Sequence, residues 1–203
     1  MALNQVIPVN RIRDTWHSGS GSNSVEDNGI ASAYVAWQLA LAATKNLHAQ
    51  DFEYADDDQR LSVLLEYLMF LAHHADRLTF EVLSNKERER FMHSFVEASC
   101  RHFQRNAEEI LGAADYHGQF IKLLAERNSE YNICKAPNGQ PGYSLFRSFG
   151  AHVQERMGNN QTNRWVIDQV IDIDAPEACS SLSKSINHLL ETTDQRLHEM
   201  TDI

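Results

Sequence analysis

Acidic and histidine side chains within one long apolar stretch are the residues of this chain that are best spaced for chemistry. Residues 61–82 read LSVLLEYLMFLAHHADRLTFEV. In a helix, a rotation of about 100° per residue places Glu66, His73 and Asp76 on one narrow polar stripe. Carboxylates and imidazoles gathered in this way can serve as metal ligands or as a general acid and base. Glu66, His73 and Asp76 are therefore the candidate ligand-binding residues.

The same stripe also has a structural interpretation. If it faces water, it is the solvated side of an amphipathic helix. If another helix covers it, its charges must pair internally, because burying an unpaired charge costs several kcal/mol. A covered cluster would be a site candidate, to which neighbouring helices could add His93 or His152. The sequence leaves these alternatives open.

Known metal-ligand patterns are missing, although the chain has ten histidines. It contains no Glu-x-x-His, as in helical di-metal carboxylate sites, and no His-Glu-x-x-His, as in zinc proteases. The acidic run 56–58 lacks the alternating acids and the glycine of a calcium loop. Its position favours a helix N-terminus, where carboxylates cap and complement the helix dipole. No metal or cofactor is predicted.

Patterns for nucleophilic catalysis and phosphate binding are missing as well. There is no G-x-S-x-G turn and no G-x-x-x-x-G-K-[ST] loop. The cysteines, Cys100, Cys134 and Cys179, form no C-x-x-C pair. With no catalytic motif, the sequence predicts no enzyme class.

Charge and composition narrow the partners and the compartment. The formal net charge is -10, which argues against a nucleic-acid binder because phosphate contacts require a basic face. No apolar run approaches the length of a membrane-spanning helix, and the N-terminus does not resemble a secretory signal. An odd, sparse set of cysteines is typical of a reducing compartment. We therefore expect a cytoplasmic protein with no membrane or nucleic-acid partner.

The elements that must position the candidate residues are predicted to be helices. Residues 61–83 and 86–111 are joined by a short connection, which predicts an antiparallel hairpin at the centre of the fold. The complete prediction is an all-α, single compact bundle of about seven helices around that hairpin. Residues 30–203 form this helical domain, and residues 1–29 are an N-terminal arm with a flexible linker, SGSGSNS.

Local signals predict where individual helices begin and end. Alanine-rich residues 30–49 form a first helix that can approach a neighbour closely, and the run VIDQVIDID is assigned to a helix rather than a strand. The expected helix starts are Asp27 or Asn28, Asp56, Ser84 with Glu87, Asp115, Thr162, and Asp174 with Pro176. The expected ends are Gly112, the loop 135–142 and Gly158.

Two functional hypotheses follow. The first is a non-enzymatic helical interaction protein that binds a partner protein or a second copy of itself as a homodimer. It depends on the missing catalytic motifs and on helices that are apolar over wide arcs. The alternative is a small-molecule- or metal-binding bundle, with enzymatic activity left open, that uses the Glu66, His73 and Asp76 cluster. A large exposed apolar patch would favour the first hypothesis.

Overall fold

The computed structural model describes residues 24–135, 141–158 and 165–201. In the last of these ranges, side chains are described for residues 165–191. All regular elements in these residues are helical, which confirms the all-α prediction. They are α1 (Val25–Ala49), α2 (Asp57–Val82), α3 (Asn85–Leu111), α4 (Tyr116–Tyr131), α5 (Tyr143–Met157), α6 (Val166–Gln169), a π-helical turn (Val170–Asp174) and α7 (Ala175–Thr201). The described part thus has six long helices, where about seven were predicted.

Helix α2 occupies the centre of the bundle. It packs against each of the other five long helices, and its residues 61–75 are buried except for Ser62. A helix that is apolar around most of its circumference requires neighbours on several sides, so this position follows from its composition. The aromatic core is concentrated here: the Phe70 ring stacks on Phe149 of α5 at a centroid distance of 4.2 Å.

The predicted central hairpin needs a correction. Helices α2 and α3 are joined by Leu83 and Ser84 alone, but α3 packs most extensively against α1. Glu26 pairs with Arg90 near the starts of α1 and α3, and further along the Trp37 ring stacks on His102. The two helices therefore run in the same direction. The prediction missed this pairing because sequence proximity does not identify which non-adjacent helices pack together.

Small side chains explain the closeness of α1 and α3. Gly29, Ala33, Ala36 and Ala40 recur at helical spacing along α1, and the three alanines have no exposed surface. The α3 backbone at Phe91 can then lie close to α1 at Gly29. The expectation that the alanines allow close approach to a neighbour agrees with this arrangement.

Most of the predicted helix ends agree with the structure. Asp56, Asp115 and the Ser84–Glu87 capping box cap α2, α4 and α3 through side-chain hydrogen bonds. Gly112 follows α3 directly and adopts φ +90°, a conformation that side-chain-bearing residues rarely adopt. Gly158 does the same after α5 with φ +73°. These signals were readable because capping involves only neighbouring residues.

Helix α1 begins earlier than predicted. Ser24, not Asp27 or Asn28, is its N-cap, and Asp27 completes a capping box by accepting from the Ser24 backbone at 3.1 Å. The last serine of the supposed linker is therefore part of the helix signal. The rest of the predicted arm and linker lies within residues 1–23, outside the described residues, as do Thr162 and most of the loop 135–142.

The predicted boundary at Asp174 is wrong. Residues 166–201 are continuously helical, and Asp174 lies in the π-helical turn rather than at an N-cap. This turn ends two residues before Pro176, whose ring nitrogen cannot donate a backbone hydrogen bond. A π turn widens the helix locally and accommodates such an interruption without ending it. The assignment of VIDQVIDID to a helix is confirmed. None of the described helices is both long and apolar enough to cross a membrane.

Replacing Gly29 by alanine is predicted to destabilise the fold. An added Cβ would overlap the Phe91 carbonyl oxygen and lie 3.2 Å from the Ser94 Cβ, so α1 and α3 would have to separate. We expect a loss of about 1–3 kcal/mol in the free energy of unfolding, measured by urea denaturation. Gly150→Ala is the matched control, since its Cβ would meet only side-chain atoms, of Ile167 and Ile171. An unchanged or increased stability of Gly29→Ala would contradict the close contact.

Candidate functional site

The stripe of α2 is covered, and Glu66 is its most deeply buried polar residue. Its carboxylate has no exposed surface and accepts two hydrogen bonds from Arg127 of α4, at 2.8 and 2.9 Å. Arg156 of α5 donates a third through Nε at 2.9 Å. The Arg127 side chain is itself only 9% exposed. One buried anion therefore joins three helices.

The charge of Glu66 is maintained by these partners. Burial by itself raises the pKa of this carboxyl, but the hydrogen bonds and positive charges of Arg127 and Arg156 outweigh burial and leave the pKa below its ordinary value of 4.5. The carboxylate is consequently ionised at neutral pH. Its hydrogen bonds to three guanidinium nitrogens leave little capacity for a further ligand.

His73 lies in the same interface but is committed to Arg77. The Arg77 Nε donates to His73 Nε2 at 2.8 Å, and the Tyr131 ring lies 5.4 Å from the imidazole, centroid to centroid. Burial, together with the Arg77 charge, lowers the pKa of His73 to about 4. His73 is therefore a neutral acceptor whose metal-binding nitrogen is already occupied.

Asp76 is separated from the other two candidates. It forms a two-bond ion pair with Arg88 of α3, at 2.8 and 2.6 Å, and about a third of its side chain is exposed. His93 is exposed on α3 and does not join the cluster. His152 does lie beside the cluster. Its Nε2 is 2.6 Å from a Glu130 oxygen, but the two atoms do not meet the geometry of a hydrogen bond.

This covered cluster is consequently a structural ion network. Its three arginines outnumber its two carboxylates, Glu66 and Glu130, so it repels a metal cation. Among the described residues no group of three histidine, cysteine or carboxylate side chains is arranged to hold a metal ion. Other helices thus cover the stripe at Glu66 and His73, and the buried charge of Glu66 is paired within the protein.

A second buried carboxylate, Asp174, has no cationic partner within the part of the chain that the structure describes. Its oxygens accept hydrogen bonds from the Tyr67 hydroxyl at 3.0 Å and from the amides of Asn46 and Gln169 at 3.2 Å each. Burial raises the pKa of Asp174, and the three hydrogen bonds oppose that rise. These bonds connect the π turn to α1 and α2, so the carboxylate has a clear structural role.

A buried serine–histidine contact resembles half of a hydrolase site. His74 Nε2 lies 2.8 Å from the Ser183 hydroxyl, beside a cavity of about 340 Å³. However, burial lowers the pKa of His74 to about 4, so it is a poor general base. Its other ring nitrogen, Nδ1, has no hydrogen-bond partner to orient the ring or to stabilise an imidazolium. The pair contributes to packing between α2 and α7.

A second cavity among the described residues is a cleft between the C-terminal parts of α1 and α3 and the N-terminal part of α2. Its volume is about 740 Å³, within the range of about 300–1,000 Å³ found for small-molecule sites. Three helices contribute its apolar wall, which consists of Trp37, Leu41, Leu61, Leu64 and Ile110. We refer to this feature as the α1–α2–α3 cleft.

Most polar groups of the α1–α2–α3 cleft already have partners within the protein. The Tyr54 hydroxyl donates to the Thr44 carbonyl at 2.9 Å, and Asp56 accepts from the Gln59 backbone as the α2 cap. Asp57 pairs with Arg60 at 2.9 Å. Lys45, by contrast, makes no ion pair or hydrogen bond with the described part of the chain, and it lines the cleft.

Little in the sequence indicates the α1–α2–α3 cleft. Its apolar residues, such as Trp37 and Leu41, follow the same helical spacing as core residues, and nothing local indicates that they border an open space. Arg127 and Arg156 were also missed as partners of Glu66, because they lie far from it in sequence. The one signal that could have indicated them is Glu66 itself, because a glutamate buried in an apolar helix requires cations nearby.

Comparison with known proteins adds no assignment. No family model matches the chain, and neither a curated protein nor a solved structure matches it. The function is therefore argued from the geometry of this molecule.

Glu66→Gln is predicted to be strongly destabilising. The substitution removes the carboxylate that binds two nitrogens of the buried Arg127 guanidinium and leaves it only the partly exposed Glu130, which should cost about 3–5 kcal/mol in urea denaturation at neutral pH. Because the native pKa of Glu66 is lowered, its contribution is present above the unfolded pKa of about 4.3 and disappears as pH falls through the native value. The difference between wild type and variant should therefore shrink on acidification.

Asp76→Asn is the control for that experiment. It removes a partly exposed ion pair, for which a loss of about 0–1 kcal/mol is expected. If Glu66→Gln cost no more than Asp76→Asn, the cluster would not be a structural network, and the ligand-site interpretation of Glu66 would return.

Proposed function

We propose that this protein is a small-molecule-binding helical bundle whose site is the α1–α2–α3 cleft. This is the alternative of the two sequence-based hypotheses, moved to a different set of residues. The supporting observation is a cleft of about 740 Å³ with an apolar wall from three helices. A concave, mainly apolar cleft with a few polar groups is the usual form of an organic ligand site.

The proposed activity is binding without catalysis. The acids and the tyrosine of the cleft are already committed to capping, ion-pair and hydrogen-bond roles. Binding of an apolar ligand would bury the apolar wall of the cleft, which contributes a favourable free energy of about 25 cal/mol per Å² of buried apolar area. The proposal includes no metal, cofactor, membrane or nucleic-acid partner.

A cytoplasmic location belongs to the same proposal. All three cysteines, Cys100, Cys134 and Cys179, are free, and two of them are buried. Free buried thiols are typical of a reducing compartment.

The test is a fluorescence titration with the neutral probe N-phenylnaphthylamine. Ile110→Trp enlarges a side chain in the cleft wall and should weaken binding of this probe at least several-fold. Ile121→Trp is the matched control, because Ile121 is 38% exposed on α4, outside the cleft, and Ile110 is 39% exposed. Absence of probe binding, or an equal effect of the two variants, would contradict a ligand site in the cleft.

We also propose, as a second candidate, the leading sequence-based hypothesis of a protein partner or a homodimer. Its support is a set of large apolar side chains that are more than half exposed among the described residues, which are Phe80, Val82, Ile133, Tyr143 and Trp165. Ile133 is the most exposed of them, at 85%. Single exposed apolar residues are common on monomers, so self-association has to be measured directly.

Sedimentation velocity over a wide concentration range provides that measurement. On this candidate the wild type dimerises as concentration rises, and Ile133→Ser should weaken the dimer by about tenfold, equivalent to about 1.4 kcal/mol. Lys122→Ser, at an exposed position of α4, is the control. A wild type that stays monomeric would rule out the homodimer.

A further inference from the structure

The charges around the α1–α2–α3 cleft indicate the class of ligand, and this inference rests on the proposed function. The cleft is lined by five acidic, basic or histidine side chains, which are Lys45, His48, Asp56, Asp57 and Arg60. Their commitments within the protein differ, and the difference shows which sign of ligand charge the cleft can accept.

Each negative group of the cleft already has a partner within the protein. The Asp56 carboxylate caps α2 by accepting from the Gln59 backbone at 2.8 Å. Asp57 is paired with Arg60 at 2.9 Å, and that pair also accounts for the arginine. A cationic ligand would have to share these carboxylates with Arg60 and with the α2 cap, whereas an anionic ligand would meet no such competitor at Lys45.

The positive charge of Lys45 is uncommitted. It lies on the last turns of α1, and its ammonium group offers three donors but makes no hydrogen bond or ion pair within the described residues. The nearby His48 ring is tied through Nδ1 to the Phe52 carbonyl at 3.4 Å. Lys45 is therefore the group of the cleft best suited to a charged ligand atom.

We propose that the cleft binds an organic anion, namely a molecule with an apolar body and one carboxylate- or sulfonate-like group. The body contacts the wall formed by Trp37, Leu64 and Ile110, and the anionic group accepts hydrogen bonds from Lys45. The overall charge of -10 does not prevent this, because charges beyond about 10 Å are largely screened at 0.1 M salt.

The experiment compares two probes with similar aromatic bodies, anilinonaphthalene sulfonate, which is anionic, and N-phenylnaphthylamine, which is neutral. Lys45→Met should weaken binding of the anionic probe about three- to tenfold, the effect of losing one charge-assisted hydrogen bond, and should leave the neutral probe unchanged. Lys45→Arg should retain anionic binding. Added salt should weaken anionic binding to the wild type more than to Lys45→Met.

Lys122→Met is the matched control, since Lys122 is exposed on α4 and does not line the cleft. If the neutral probe binds in an Ile110-dependent way but Lys45→Met leaves the anionic probe unaffected, the anion inference is overturned and the ligand site remains. If Lys45→Met weakens both probes equally, the inference is also overturned, because charge is then not what Lys45 supplies. If neither probe binds, both proposals fail.

Discussion

The bundle depends on the burial of one glutamate in an otherwise apolar central helix. Glu66 has no exposed surface, so α2 can be enclosed only if cations approach it from the helices that cover it. Arg127 and Arg156 meet this requirement from α4 and α5. Three directed hydrogen bonds thus join α4 and α5 to one point of α2, at a cost in desolvation.

The opposite side of the bundle is built by a different constraint, close backbone approach. Gly29 and the alanines of α1 bring that helix against the Phe91 backbone, and the Glu26–Arg90 ion pair lies near the start of the same interface. The fold thus combines a polar, directional interface between α2, α4 and α5 with a steric interface between α1 and α3. The Asp174 hydrogen bonds connect the two sides by joining the π turn to α1 and α2.

Structural and functional polar groups are distinguished here by whether they already have partners. The residues first selected for chemistry, Glu66 and His73, are buried, and arginines occupy their acceptor atoms. A site for a ligand requires unoccupied groups beside open space, and Lys45 in the α1–α2–α3 cleft meets both conditions. The proposed site therefore lies at a feature that the sequence did not single out, and the Glu66, His73 and Asp76 site stays an untested prediction.

The sequence alone determined the all-helical class, the central position of α2 and several helix ends, including Asp56, Ser84 and Gly112. These depend on the helical period and on capping, which act over three or four residues. Only the tertiary structure decided that Arg127 pairs with Glu66, that α1 is the main partner of α3, and that Trp37 and Ile110 border a cleft. Those features join residues more than sixty positions apart, and the local pattern is the same whether an apolar stripe meets another helix or an open space.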